Sequence, residues 1–357
     1  MFKLEARPQA SQAMSIASPL IALAVTVVFG VLLFLMLGKD PLLGLRMFFF
    51  EPVKNAYSWS EIAIKATPLA LIALGLSVCY RSNVWNIGAE GQYILGAIFA
   101  SGVAMQADAG SSRWIVVAIL AAGVLGGMVW AGIVALLRDR FNASEILVSL
   151  MLVYVADLLL AYLVYGPWKD PQGYNFPQTI NFLAVTKVPR LVDGLRANVG
   201  VLVALVAVMG AWALLFRTYA GFQLQVGGLA PAAARYAGFS SRSALWLALM
   251  MSGGLAGLAG GLEAAGPLGQ LTSNMPAGYG FAAIIVAFVG RLHPVGVVFS
   301  AILMSMFYIG GELAQSRMGL PKSITGVFQG LLLFSLLAAD TLIHYRVRYA
   351  SNPGKLT

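Results

Sequence analysis

Arg81-Ser-Asn-Val-Trp-Asn-Ile-Gly-Ala-Glu-Gly-Gln92 interrupts what would otherwise be one apolar run over residues 63–105. A charged side chain at the centre of a bilayer costs about 2.5–3.5 kcal/mol on insertion scales, so Glu90 must face protein or water. Gly88 and Gly91 permit a break in a helix or the close approach of another backbone. Non-helical backbone at membrane depth is tolerated where it lines a cavity. The stretch therefore reads as a broken helix bordering a path, with Asn86, Glu90 and Gln92 as its polar groups. An amide without a partner in hydrocarbon costs several kcal/mol, so Asn86 and Gln92 are expected to present their amides to a cavity. The competing reading is a tight turn near the cytoplasmic surface with Glu90 paired to Arg81.

The rest of the chain supports a membrane setting for this break. Of 357 residues, 59% are hydrophobic and only 10% charged, and mean hydropathy is +0.82. An ordinary soluble domain is about 25% charged. This balance excludes a soluble globular protein, a disordered chain and a coiled coil. The net charge of +9 comes from basic residues scattered singly between apolar runs, which reads as orientation signal and lipid-headgroup contact rather than nucleic-acid binding. The lone Cys79 excludes an intrachain disulfide and a cysteine metal cluster. His293 and His344 have no ligand-spaced partners, so no metal or cofactor is expected.

Ten hydrophobic segments follow from a pass along the chain: 19–37, 63–80, 87–105, 114–137, 146–165, 198–216, 244–262, 281–290, 295–311 and 325–339. The expected fold is all-α, a single polytopic transmembrane bundle over 1–357. The first run is too long for a signal-peptide core and reads as a retained helix. The run 281–290 is too short to cross a ~30 Å core. It is one arm of a short hairpin, Phe281 to Gly311, turning at 291–294, or a broken half-helix. Basic residues divide almost evenly between the two sides. Those assigned inside lie closer to helix ends, which places both termini in the cytoplasm. The polar stretch 166–197 is then a long extracytoplasmic loop, read as a folded cap.

Three further features carry meaning. In the cytoplasmic segment 217–243, Pro231 and Gly238 bracket Ala-Ala-Ala-Arg-Tyr-Ala, the Pro-start and Gly-stop pattern of a helix. So short a helix is unstable in water and must dock, either in a groove of an ATPase or on lipid. The docking residues are Pro231, Ala233, Ala234, Arg235, Tyr236 and Gly238. Gly253, Gly257 and Gly261 recur every four residues and give one helix a face that another can approach closely, in a run that ends at Glu263. Among lone polar residues in other spans, Asp157 reads as a proton-coupling carboxylate or as a group satisfied by a neighbouring helix near the span's end. No G-x-x-x-x-G-K-[ST] occurs, so this chain does not hydrolyse ATP through a Walker site. It also has no visible nucleophile–base set for an intramembrane hydrolase.

Asn86-Ile-Gly-Ala-Glu-Gly-Gln92, after Arg81, closely resembles the signature of permease subunits of bacterial nucleoside ABC importers, in the wider group of sugar and branched-chain amino-acid permeases. Ser144-Glu-Ile-Leu-Val-Ser, Pro231-Ala-Ala-Ala-Arg-Tyr-Ala-Gly-Phe239, the run 252–263, His293-Pro-Val-Gly296 and Gln329-Gly-Leu-Leu-Leu-Phe334 follow in the family's order. The resemblance spans about residues 60–340 and suggests the larger of two permease types. It departs at Asn83, where the family usually has Gly, and at Trp85, usually Phe. Ser144 and Val153 stand in place of Asn. Ala230 replaces an Asn that would cap the coupling helix.

The resemblance implies no enzyme activity in this chain. It implies a heterodimer with a second, related permease, a separate cytoplasmic ABC ATPase and an extracytoplasmic substrate-binding protein. The setting is the bacterial inner membrane, with lipid as the remaining partner. An uncharged cargo with a stackable base suits a path with few polar groups and some aromatics, and Trp85, Asn86, Glu90, Gln92 and Phe281 are the candidate lining residues. The alternatives are a sugar or amino-acid permease of the same group, or an ion-coupled secondary transporter using Glu90 or Asp157.

Overall fold

The computed structural model describes residues 2–6, 12–108, 110–275 and 277–349. The architecture is helical. In chain order the helices are α1 (Gln12–Met36), α2 (Pro41–Leu45), α3 (Ala56–Arg81), α4 (Ala89–Ala104), α5 (Ile115–Phe141), α6 (Glu145–Tyr165), α7 (Gly200–Arg217), α8 (Tyr219–Leu229), α9 (Pro231–Tyr236), α10 (Ser241–Glu263), α11 (Tyr279–Val289), α12 (Pro294–Met318) and α13 (Ser323–His344). Short strands β1 (Phe2–Ala6) and β2 (Tyr345–Tyr349) pair antiparallel, an addition to the all-α expectation. Among the described residues, seven helices are long and apolar enough to cross a membrane.

The helices run past the apolar segments because their ends are capped by polar residues. Asn55 accepts a hydrogen bond from the Ser58 amide at 2.8 Å and starts α3 well before the apolar run. Ser240 caps α10 in the same way. The expected hairpin is present but unequal. After the short α11, Arg291 and Leu292 take left-handed backbone angles, and the returning arm, α12, continues to Met318, beyond Gly311.

The chain forms two compact units. One comprises residues 1–54 and 306–357. Its core is a cluster of rings, in which Phe48 stacks on Phe328 at 4.6 Å and Phe34 lies 5.7 Å from Phe328. The other comprises residues 55–305 and carries the break, the coupling segment and the glycine-rich helix. Within it α3 is an interior helix, with 83% of its apolar window buried against 22–28% for α5, α6 and α7.

Helix α10 packs against α3, α4 and α5, and its glycines set the spacing. A side chain at Gly257 would meet the Gly127 backbone at 2.9 Å, and one at Gly253 the Gly127 carbonyl at 2.5 Å. Gly261 faces Ala100 and Gly123. Gly96 of α4 abuts the Gly257 backbone. Three helices thus meet backbone to backbone, the close approach that small residues allow between membrane helices.

The stretch 166–197 contains one short 3-10 turn, Ala184–Thr186, and is otherwise irregular. It is pinned to the segment after α10. The Thr179 amide donates to the Leu271 carbonyl at 2.9 Å, Phe182 to Gly269 at 2.8 Å and Val188 to Ala265 at 2.9 Å. Phe182 and Val188 of this stretch are buried.

Candidate translocation break and coupling segment

The helix break lies between Arg81 and Ala89. Ser82 ends α3 by turning its hydroxyl back to the carbonyls of Val78 and Cys79, at 3.0 and 2.8 Å. Asn83 then adopts φ +56°. Apart from glycine, Asn and Asp visit this left-handed region most readily, so Asn83 tolerates the turn. The Asn83 carbonyl oxygen of the side chain accepts from the Trp85 indole at 3.2 Å. Tyr80 stacks on Phe288 at 5.2 Å and donates its hydroxyl to the Asn86 carbonyl at 3.2 Å.

Asn86 and Gln92 are fully buried. Their amides close on each other: Asn86 Nδ2 donates to Gln92 Oε1 at 3.0 Å, and Gln92 Nε2 to Asn86 Oδ1 at 3.2 Å. Asn86 also donates to the Ser252 hydroxyl of α10 at 3.0 Å and accepts from the Gly88 amide at 3.1 Å. The expectation that both amides face open space is not what this conformation shows. A buried amide must be paired, and the complementary amide six residues away satisfies it within the break itself.

Glu90 is buried and does not pair with Arg81. Its carboxyl accepts from the backbone amides of Gly278, at 3.0 Å, and Gly280, at 2.5 Å, and so holds the start of α11. A side chain at Gly280 would meet the Glu90 Cα at 2.5 Å, so only glycine allows this approach. Glu90 thereby positions Phe281, which is partly exposed, as is Trp85. Ser149 and Ser252 complete the site and carried no signal in the local pattern. Ser149 accepts from the Ile87 amide at 3.2 Å.

Arg81 reaches away from the break into three other elements. Its Nε donates to the Leu292 carbonyl at 2.8 Å in the α11–α12 turn, and Nη1 to Gln225 Oε1 of α8 at 3.0 Å. Its guanidinium lies 5.1 Å from the Phe216 ring at the end of α7. Gln225 in turn donates to the Leu215 carbonyl at 2.6 Å.

The segment 217–243 folds as α8 followed by α9 and the turn into α10. Sequence reasoning missed α8, whose start is capped by Thr218 accepting from Gly221 at 3.1 Å. The six residues of α9 begin at Pro231 with no side-chain cap from Ala230, and Gly238 follows at φ +80°. Pro231, Ala233, Arg235, Tyr236 and Gly238 are exposed, and Tyr236 is 97% exposed. Ala234 is different: it is buried and faces a cleft of about 480 Å³ between α8, α9 and α10, lined also by Leu224, Phe239 and Leu247. Tyr219, Phe222 and Phe239 form an edge-to-face cluster beside it.

Asp157 is exposed on α6, not satisfied by a neighbouring helix. Val153, one turn earlier, is buried against Gly91, where an added side chain would lie 3.2 Å from its Cα. Among the described residues no group of three or more potential metal ligands converges.

Comparison with known proteins places this geometry in a family. The model of the branched-chain amino acid transport system permease component matches residues 58–337. A glucose ABC transporter permease protein of Haloferax volcanii is 32% identical over 93% of this chain and 90% of its own length. A guanosine ABC transporter permease protein of Bacillus subtilis is 28% identical, covering 95% of each chain. A nucleoside ABC transporter permease protein of Lactococcus lactis is 26% identical over 88% of this chain and 89% of its own. The family match takes in the break, the coupling segment and the glycine seam together, and the chain belongs to the branched-chain amino acid transport system permease family, as a multi-pass membrane subunit of an ABC transporter.

Proposed function

We infer that this permease moves nucleosides inward across a bacterial inner membrane by ATP-driven alternating access. It pairs with a second, related permease, works with a cytoplasmic ATPase and a substrate-binding protein, and keeps both termini in the cytoplasm. The supporting observation is the α8–α9 projection. A six-residue helix with a fully exposed tyrosine has no intrinsic stability and offers an aromatic surface for another protein to seat. The relatives named for guanosine and nucleosides support the cargo. The relative named for glucose favours a sugar as the second reading. Both cargoes are uncharged rings bearing neighbouring hydroxyls.

The test is reconstitution of the full complex. Ala233→Asp, on the exposed face of α9, is expected to lower cargo-stimulated ATP hydrolysis at least about tenfold while the permease remains assembled in the membrane. Ala234→Asp puts a charge into the cleft and should reduce assembly as well. Active uptake by this chain without an ATPase, or unchanged stimulation in Ala233→Asp, overturns the reading.

A further inference from the structure

Asp157 stands in the body of a spanning helix. At 1.5 Å per residue it lies about 18 Å from the first residue of α6 and about 12 Å from the last. Its side chain is exposed. Among the described residues its carboxyl makes no hydrogen bond or ion pair. A carboxylate at that depth does not face lipid, so this part of α6 borders water or another protein.

Two observations favour water in the path. First, Asp157 continues, one turn on, the row of α6 that begins at Val153 against Gly91, beside the helix break. Second, Tyr154, which is 61% exposed, lies three residues before Asp157 and therefore on the same helix face.

Resting on the permease reading above, we propose that Asp157, with Tyr154, is the cargo's diol contact: a carboxylate that accepts from two neighbouring ring hydroxyls while the phenol ring covers the cargo face. An ionised carboxylate only accepts hydrogen bonds and presents two oxygens, which fits a vicinal diol and rejects a ring that lacks donors. An aromatic ring beside it supplies apolar contact with a polar edge. The ribose of a nucleoside and a hexose share this diol, so one residue serves both cargo readings.

The experiment is ligand-observed saturation-transfer NMR on the intact permease–ATPase complex without binding protein. The probes are inosine, 2′,3′-dideoxyinosine, hypoxanthine and D-glucose. Inosine is expected to bind about 10- to 100-fold more tightly than dideoxyinosine, the range for hydrogen bonds to a charged acceptor. Asp157→Leu should erase that preference and leave dideoxyinosine unchanged, with the complex still assembled. Asp157→Asn, which keeps one acceptor, should retain part of it. Binding of glucose but not inosine, lost in Asp157→Leu, upholds the diol contact and overturns the nucleoside reading. Preserved discrimination in Asp157→Leu overturns the proposal, and so does absence of binding by every probe. Dissociation of the Asp157→Leu complex does so too, because it makes Asp157 a subunit contact.

Discussion

Replacing Arg81 by Lys tests whether the coupling segment is mechanically joined to the helix break. Lys keeps the positive charge but replaces the planar fork with one compact ammonium. It cannot hold both the Leu292 carbonyl, now 2.8 Å from Nε, and Gln225 Oε1, now 3.0 Å from Nη1. It also gives up the planar contact with Phe216 at 5.1 Å. One hydrogen bond to a charged group contributes about 1.5–3 kcal/mol. Arg81 is partly exposed, so about 1–2 kcal/mol is the better figure for the loss, or a five- to thirtyfold change in how tightly α8 follows α3. The expected outcome is normal assembly with more ATP hydrolysed per cargo molecule moved. Gln225→Leu should reproduce the change, and the double variant should be no worse than either single, because both remove one linkage. The assay is simultaneous measurement of ATP hydrolysis and uptake in proteoliposomes, with assembled complex counted by size-exclusion chromatography. An unchanged ratio in both single variants, or a fall in uptake that merely tracks lost assembly, refutes the reasoning.

Two further outcomes follow from contacts in the same unit. Glu90→Gln leaves either the Gly278 or the Gly280 amide without an acceptor, at a cost of about 1–3 kcal/mol. Hydrogen exchange at the start of α11 should rise about 5- to 150-fold, and unchanged protection of both amides counts against the latch. Gly257→Ala forces a methyl against the Gly127 backbone at 2.9 Å, an overpacking of about 1–3 kcal/mol. The melting midpoint of the assembled complex should fall, and a midpoint equal to wild type counts against the seam.

What the sequence made legible was local. Gly88 and Gly91 marked the break, Pro231 and Gly238 bracketed α9, and the turn at 291–294 was visible because it separates two apolar runs. What stayed hidden depended on distant partners. Glu90 is satisfied by amides 188 and 190 residues away, so its apparent partner, Arg81, was only the nearest opposite charge along the chain. Asn86 and Gln92 were recognised as groups that could not face lipid. Their pairing depends on how the backbone turns at Asn83 and enters α4 after Gly88, which composition does not specify. The four-residue glycine period announced a packing face but not that Gly123 and Gly127 of α5 oppose it. Helix α8 escaped notice because its glycines, Gly221, Gly227 and Gly228, argue against a helix. Close packing overrides that preference: a side chain at Gly228 would lie 3.0 Å from the Arg81 carbonyl carbon.

The glycine seam has a mechanical consequence. Side-chain interfaces can exchange one set of rotamers for another and so let helices slide. Where main chain lies directly on main chain there are no rotamers to exchange, and any displacement opens a void or forces a collision. Helices α4, α5 and α10 therefore turn as one rigid block. The freedom to alternate between two faces of a membrane is left to the parts held by single side chains: the linker between Arg81 and Ala89, and the α8–α9 projection that Gln225 ties to it.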